Sequence, residues 1–300
     1  MSGPARWFCS DDARLRGDAM AATAAPGRSW LLIEYPHGWP ILGFPELPLD
    51  PPVRDRVTAA AAAAGARIVL IRRPLRHYAP EQRPRRWAVL HYQDAGHYRQ
   101  LWGEWSSAAD LLAIPEALSA PGAAGLPPVL MVCTHGRHDV CCAVRGRPVA
   151  FALSERWPEL TWECSHIGGD RFAGNLVVVP DGVYYGGLDP DVGIDVVRHH
   201  LANRIHAEHL RGYTNLDIPQ QAAVIAALAR FGPAGRHDWT VLHTDDGAGE
   251  ATVWLAGSDG LPERIEVRLR AERSTPHRLT CRATRESSVV NYRVIELVGS

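Results

Sequence analysis

The 300-residue chain contains no lysine, so all 32 of its basic residues are arginine. That absence removes Schiff-base catalysis, a phosphate-loop ammonium and a lysine general base from the chemistries open to it. Long apolar runs are missing too. Stretches such as Ala59–Ala64 and Leu176–Val179 fall far short of the roughly 20 residues that cross a bilayer, so no membrane partner is expected. Residues 1–20 hold no apolar segment behind a charged start, which argues against a secretory leader and for a cytoplasmic setting. A net charge of -1 leaves no basic excess for general nucleic-acid binding. Cysteine is sparse, since six in 300 residues are too few for a disulfide scaffold. Four of the six, Cys133, Cys141, Cys142 and Cys164, nevertheless crowd into one short stretch, which suggests metal or redox work.

With 46% hydrophobic and 22% charged residues, the composition is that of a soluble globular protein able to bury real cores. At about 150 residues per domain the length predicts two domains. Trp30–Tyr35, Arg67–Ile71 and Trp87–Tyr92 are apolar and β-prone and read as strands. Asp50-Pro51-Pro52 opens a helix over Val53–Ala64 that Gly65 ends, and Ser106–Leu112 supplies a shorter one. These elements predict an N-terminal α/β domain over residues 1–120. The period-free, proline- and glycine-rich Ser119–Pro128 reads as a linker.

A second domain is expected over residues 126–235. Val129–Cys133 reads as a strand, Ala143–Arg156 as a helix and Leu160–Ser165 as a strand, giving β-α-β. Leu176–Val179 and Val183–Tyr185 flank Pro180-Asp181-Gly182, a hairpin signal. Asp189-Pro190 opens a helix whose apolar stripe is Ile194, Val197, Leu201 and Ile205, and Asp217 with Pro219 opens another running to about Arg230. This order is what a thioredoxin-like layer of sheet and helices requires. In the tail, Ile265, Val267 and Leu269 alternate with charged residues, and Asp246-Gly247 and Asp259-Gly260 mark turns. A small antiparallel β extension over residues 236–300 follows, and the fold class is α/β.

The chemistry concentrates in Cys133–Pro148 and Trp162–Asn175. Cys133 falls at the end of a strand and Cys142 at the start of the next helix, where the helix dipole favours a thiolate. Cys164 and His166 lie two apart at the end of the following strand and would face one side. Gly168 and Gly169 let the chain turn tightly and present Asp170.

These segments resemble the sucrase/ferredoxin-like family. The motif residues that match are Cys133, His135-Gly136, Asp139, Cys142, Gly146, His166, Gly168-Gly169 and Ala173-Gly174-Asn175, and the early WLLIEYPHGW segment is similar to the family's N-terminal domain. The resemblance extends over about residues 5–235. It implies a thioredoxin-like ferredoxin domain carrying a 2Fe-2S cluster, with Cys133 and Cys142 as thiolate ligands and His166 as the first imidazole ligand. Asp170 stands where the family has its second histidine, and His138 where it has an arginine. The fourth ligand is then Asp170 or Cys164, or no cluster binds. Carboxylate oxygen is an unusual partner for iron-sulfur iron, and Asp170 is preferred over Cys164 on position.

The leading reading is a one-electron carrier rather than an enzyme, needing a reductase and an acceptor protein as redox partners. Replacing thiolate by imidazole should raise its potential above that of an all-cysteine ferredoxin. A structural mononuclear zinc site on the same residues is the alternative. A metal-free thiol oxidoreductase using Cys142 with Cys133 or Cys141 is the other, although the chain has no Cys-x-x-Cys pair.

Elsewhere the expectations are structural. Cys9 and Cys281 are read as inert packing residues and Cys141 as a packed neighbour. His199, His200, His206 and His209 are read as the solvated face of a helix. Arg72, Arg73, Arg76, Arg83, Arg85 and Arg86 form a solvated loop or an anion-docking run. Trp102 and Trp105 are expected to anchor a core or a domain interface.

Overall fold

The computed structural model describes residues 7–74, 84–93, 97–258 and 260–299. Arg76, Arg83 and Asp259, singled out above, lie outside them. Nine strands form one mixed sheet in the order β4-β3-β1-β2-β6-β5-β7-β8-β9. Here β1 is Ser29–Glu34, β2 Ala66–Arg72, β3 Arg85–Tyr92, β4 Tyr98–Trp105, β5 Val129–Cys133, β6 Thr161–Cys164, β7 Leu176–Val179, β8 Val183–Tyr185 and β9 Leu210–Tyr213.

Two parallel β-α-β units make up the middle of this sheet. In the first, α2 (Pro51–Ala63) connects β1 to β2; in the second, α4 (Val140–Arg156) connects β5 to β6. The units meet through an antiparallel contact of β2 with β6, pairing Ile71 with Cys164 and Arg72 with Glu163. The strands on both sides of the Ser119–Pro128 stretch therefore share one sheet. Within the second unit the order β6-β5-β7-β8, with β5 parallel to β6 and antiparallel to β7, is the thioredoxin-like arrangement.

Period-two alternation decides which side chain faces which layer. Leu130 and Val132 pack with Val149 and Leu153 of α4, whereas Val129, Met131 and Cys133 turn to the opposite face with Trp162 and Val177. Leu31 and Ile33 do the same in β1, packing on Val53 and Val57 of α2. Each such aliphatic side chain removed from water contributes about 1.5–3 kcal/mol. Trp102 stacks on Trp162 at 6.3 Å, anchoring β4 across the sheet face, and Trp105 is buried.

A separate antiparallel sheet runs β10 (Trp239–Asp246), β11 (Glu250–Gly257), β12 (Ile265–Arg273), β13 (Val290–Gly299). Its alternating Ile265, Val267 and Leu269 join the core shared with α6 (Ile218–Phe231). Among the described residues no helix is long and apolar enough to cross a membrane.

Several expectations need correction. The helix α5 (Pro190–Leu201) ends before Ile205, which is buried beside Ala234 instead, and Leu201 is exposed. Of the four histidines assigned to that helix, His206 and His209 lie beyond it. His200 is buried, bonded to the Tyr185 hydroxyl at 2.8 Å and to Asp181 at 2.9 Å, so it is no solvated face. Arg72 and Arg73 do not belong to a solvated loop either. Arg72 donates to Glu163 at 2.7 Å, and Arg73 is buried over Trp162 with its guanidinium on the carbonyls of Pro158, Glu159 and Thr161. Three elements are additional: α1 (Cys9–Arg16) and the two edge strands β4 and β9. The expected Ser106–Leu112 helix is a 3-10 turn over Ala108–Ala113 capped by Ser107, then α3 (Ile114–Ala117).

Candidate metal centre

The site lies at the carboxyl ends of β5 and β6, where parallel strands deliver their loops to the start of α4. Cys133 is the last residue of β5. The chain then turns through Thr134–Asp139, and Asp139 caps α4 by accepting the Cys141 backbone N–H at 2.9 Å. One turn of helix later, Gly146 lies directly against the end of β5: a Cβ there would sit 2.0 Å from the Cys133 carbonyl oxygen. Glycine at 146 thus sets how closely Cys142 approaches Cys133.

The second loop leaves β6 through Ser165 and carries His166 to Asp170. Gly168 and Gly169 have φ of 95° and 77°, the left-handed region, which brings Asp170 back over the thiols. The loop is held from several sides. Arg67 of β2 donates to the His166 carbonyl at 3.2 Å, and the Asn175 amide donates to the Gly169 carbonyl at 2.9 Å. Arg211 of β9, fully buried, donates to the Gly168 backbone carbonyl at 2.9 Å and to the side-chain Oδ1 of Asn175 at 2.8 Å. Its burial lowers its pKa to about 10, still far above neutrality. No motif pointed to Arg67 or Arg211; two arginines in strand-like segments carried no signal beyond their charge.

Three ligand atoms converge here: the Sγ atoms of Cys133 and Cys142 and a ring nitrogen of His166 lie within 4.8 Å of one another. His166 shares a second such trio with His138 and Asp170. Asp170 ties the groups together, its Oδ1 accepting from the Cys142 thiol at 3.2 Å and lying 3.0 Å from His166 Nδ1. That contact is not aligned as a hydrogen bond, and His166 Nδ1 is a buried nitrogen with no hydrogen-bond partner. A buried imidazole nitrogen with no aligned hydrogen bond, beside two thiols and a carboxylate, is a donor set that fits a metal. Cys164 is different. It is fully buried and borders Cys133, its register partner, yet stands outside both trios. Cys164 and His166, expected side by side, therefore part company, because His166 follows the strand's end into the turn.

Within this buried pair of thiols the hydrogen bonding favours ionisation of Cys133 over Cys142. Hydrogen bonds from Cys142 and Cys164 hold Cys133 well below the ordinary thiol range, while Cys142 is pushed up by its bond to Cys133 and by burial. For His166, burial favours the neutral ring, but contacts with Asp170 and Cys133 outweigh it and raise the pKa to about 9. His135, whose Nδ1 accepts the His166 backbone N–H at 3.2 Å, is shifted downward by burial. A metal requires thiolate and neutral imidazole, so uptake at pH 7 must expel the His166 and Cys142 protons. Adding zinc(II) to the metal-free protein in weak buffer should release about two more protons per chain than adding it to Cys142→Ser. A pH-indicator titration measures them; equal release by both proteins would contradict this assignment of protons.

A sheet with a thioredoxin-like segment, holding clustered thiol, imidazole and carboxylate groups that could bind a metal, defines the class of this protein. The family model described as sucrase/ferredoxin-like matches residues 53–212, and the chain belongs to that family. No curated protein and no solved structure matches the chain.

Proposed function

We propose that the protein is a one-electron carrier binding a 2Fe-2S cluster through Cys133, Cys142, His166 and Asp170. The observation that carries this reading is the convergence of two thiols with a His166 ring nitrogen in a family named for ferredoxin likeness. When bound, such a cluster supplies reversible one-electron transfer at a potential raised by imidazole ligation.

The surroundings support the carrier role. Cys133 and Cys142 are buried, whereas the His166 and His138 side chains are 28% and 30% exposed. Their rings stack at 3.6 Å with planes 23° apart, at the floor of a cleft of about 310 Å³. Ile41 and Leu42 on its rim are exposed apolar side chains that suit contact with a redox protein, either reductase or acceptor.

The test is iron and acid-labile sulfide content, with an absorption spectrum, on anaerobically purified protein. Asp170→Ala should lower cluster content several-fold, and Cys164→Ala should leave it near wild type. Protein lacking iron and sulfide even after reconstitution would reject the proposal. A structural zinc ion on the same residues is the competing reading, because three ligand atoms within 4.8 Å are compact enough for a single ion. Zinc without iron, lost in Cys142→Ser, would establish it.

A further inference from the structure

Cys9 and Cys281, expected as isolated packing residues, and Cys141, expected as a mere neighbour, meet in one place. Cys9 comes from α1, Cys141 from the first turn of α4 and Cys281 from the segment between β12 and β13. Their Sγ atoms form a triangle with sides of 3.6 Å (Cys9–Cys141), 3.6 Å (Cys9–Cys281) and 3.1 Å (Cys141–Cys281). Asp139 Oδ2 is 3.8 Å from Cys9 Sγ, and all four ligand atoms lie within 4.8 Å of one another. None of these sulfurs belongs to the Cys133–Cys142–His166 trio.

We propose that Cys9, Cys141 and Cys281, with Asp139 as fourth ligand, hold a structural zinc ion at this second site. Tetrahedral zinc with Zn–S bonds of about 2.3 Å requires sulfur-sulfur edges of about 3.8 Å, and a carboxylate oxygen at about 2.1 Å requires a sulfur-oxygen edge of about 3.6 Å. The observed edges are within a few tenths of an ångström of these values, apart from the 3.1 Å side, which opens as the ion enters. On binding, each sulfur still protonated gives its thiol proton to solvent as its Zn–S bond forms, with no change of oxidation state.

The sulfurs are also prepared as acceptors. The Cys9 backbone N–H donates to Cys281 Sγ at 3.4 Å, and the Ser10 hydroxyl donates to Cys141 Sγ at 3.3 Å. Such donors support metal-bound thiolates. Asp139 is oriented by the N–H groups of Cys141 and Cys281, at 2.9 Å and 2.6 Å. Trp7, Phe8 and Ala173 pack around the cluster. A disulfide between Cys141 and Cys281 is the rival arrangement, but it would leave the fully buried Cys9 thiol and the carboxylate without a shared partner. Zinc here would clamp both ends of the described chain to the turn of α4 that also carries Cys142.

Elemental analysis of purified protein tests this directly. Wild type is expected to retain about one zinc per chain through dialysis. Cys281→Ser and Cys9→Ser should lose it and keep their iron, whereas Cys142→Ser should lose iron and keep zinc, so this site and the proposed cluster fail separately. Absence of zinc after refolding with zinc(II), zinc that follows Cys142→Ser instead, or the mass loss of a Cys141–Cys281 disulfide would overturn the proposal. Should the serine variants not fold, cobalt(II) exchanged into iron-loaded wild type decides. Tetrahedral sulfur-to-cobalt charge-transfer absorption supports the site, and its absence overturns it.

Discussion

Cys142→Ser is expected to strip the protein of iron and acid-labile sulfide, at least about tenfold, while its far-ultraviolet circular dichroism stays that of wild type. The asymmetry follows from what serine keeps and what it loses. A hydroxyl still fills most of the buried space and can still donate to Asp170 Oδ1, which the Cys142 thiol reaches at 3.2 Å. The folded chain therefore loses only on the order of 1 kcal/mol. Cluster iron, by contrast, needs a soft, easily ionised sulfur, and an alcohol is neither. A variant that keeps its visible absorption would remove Cys142 from the ligand set and end the electron-carrier account in its present form.

Gly146→Ala is expected to be the most damaging small substitution in the second β-α-β unit. The added methyl carbon would stand 2.0 Å from the Cys133 carbonyl oxygen, a backbone atom that cannot swing aside. Helix α4 must retreat from the end of β5, at a cost of about 3 kcal/mol or more. That retreat also draws Cys142 away from Cys133, so cofactor content should fall along with the urea midpoint. Gly38→Ala is the matched control, because a Cβ there meets nothing within 4 Å and a shift within about 0.5 kcal/mol is expected. Equal midpoints for the two variants would show that the close approach does not govern stability.

The elements legible from sequence are those whose local chemistry and long-range packing agree. The apolar runs at β1, β5 and β7 are buried along nearly their whole length, and Gly182, with φ of 67°, makes the expected turn between β7 and β8. The helix α1 was hidden because CSDDARLR has no apolar period and buries only Cys9, Ser10 and Ala13. The strand β4 was hidden because, at the sheet edge, YRQLWGEW buries only Gln100 and Trp105 and has no clean alternation. At the site, Cys133, Cys142 and His166 could be picked out since 34 residues of chain contain all three. Cys9 and Cys281 could not, since 272 positions separate them and only the finished fold brings them together.

The join between the two β-α-β units carries a practical consequence. The strand β6 is covered on one side by β5 and on the other by just Ile71 and Arg72 of β2. A fragment beginning near residue 126 would leave that flank bare, with unsatisfied main-chain groups alongside Cys164. Bare flanks recruit other chains. Excising the metal-bearing segment for separate study would thus yield self-associating material unless a substitute strand were supplied, which makes the N-terminal third a built-in guard against aggregation.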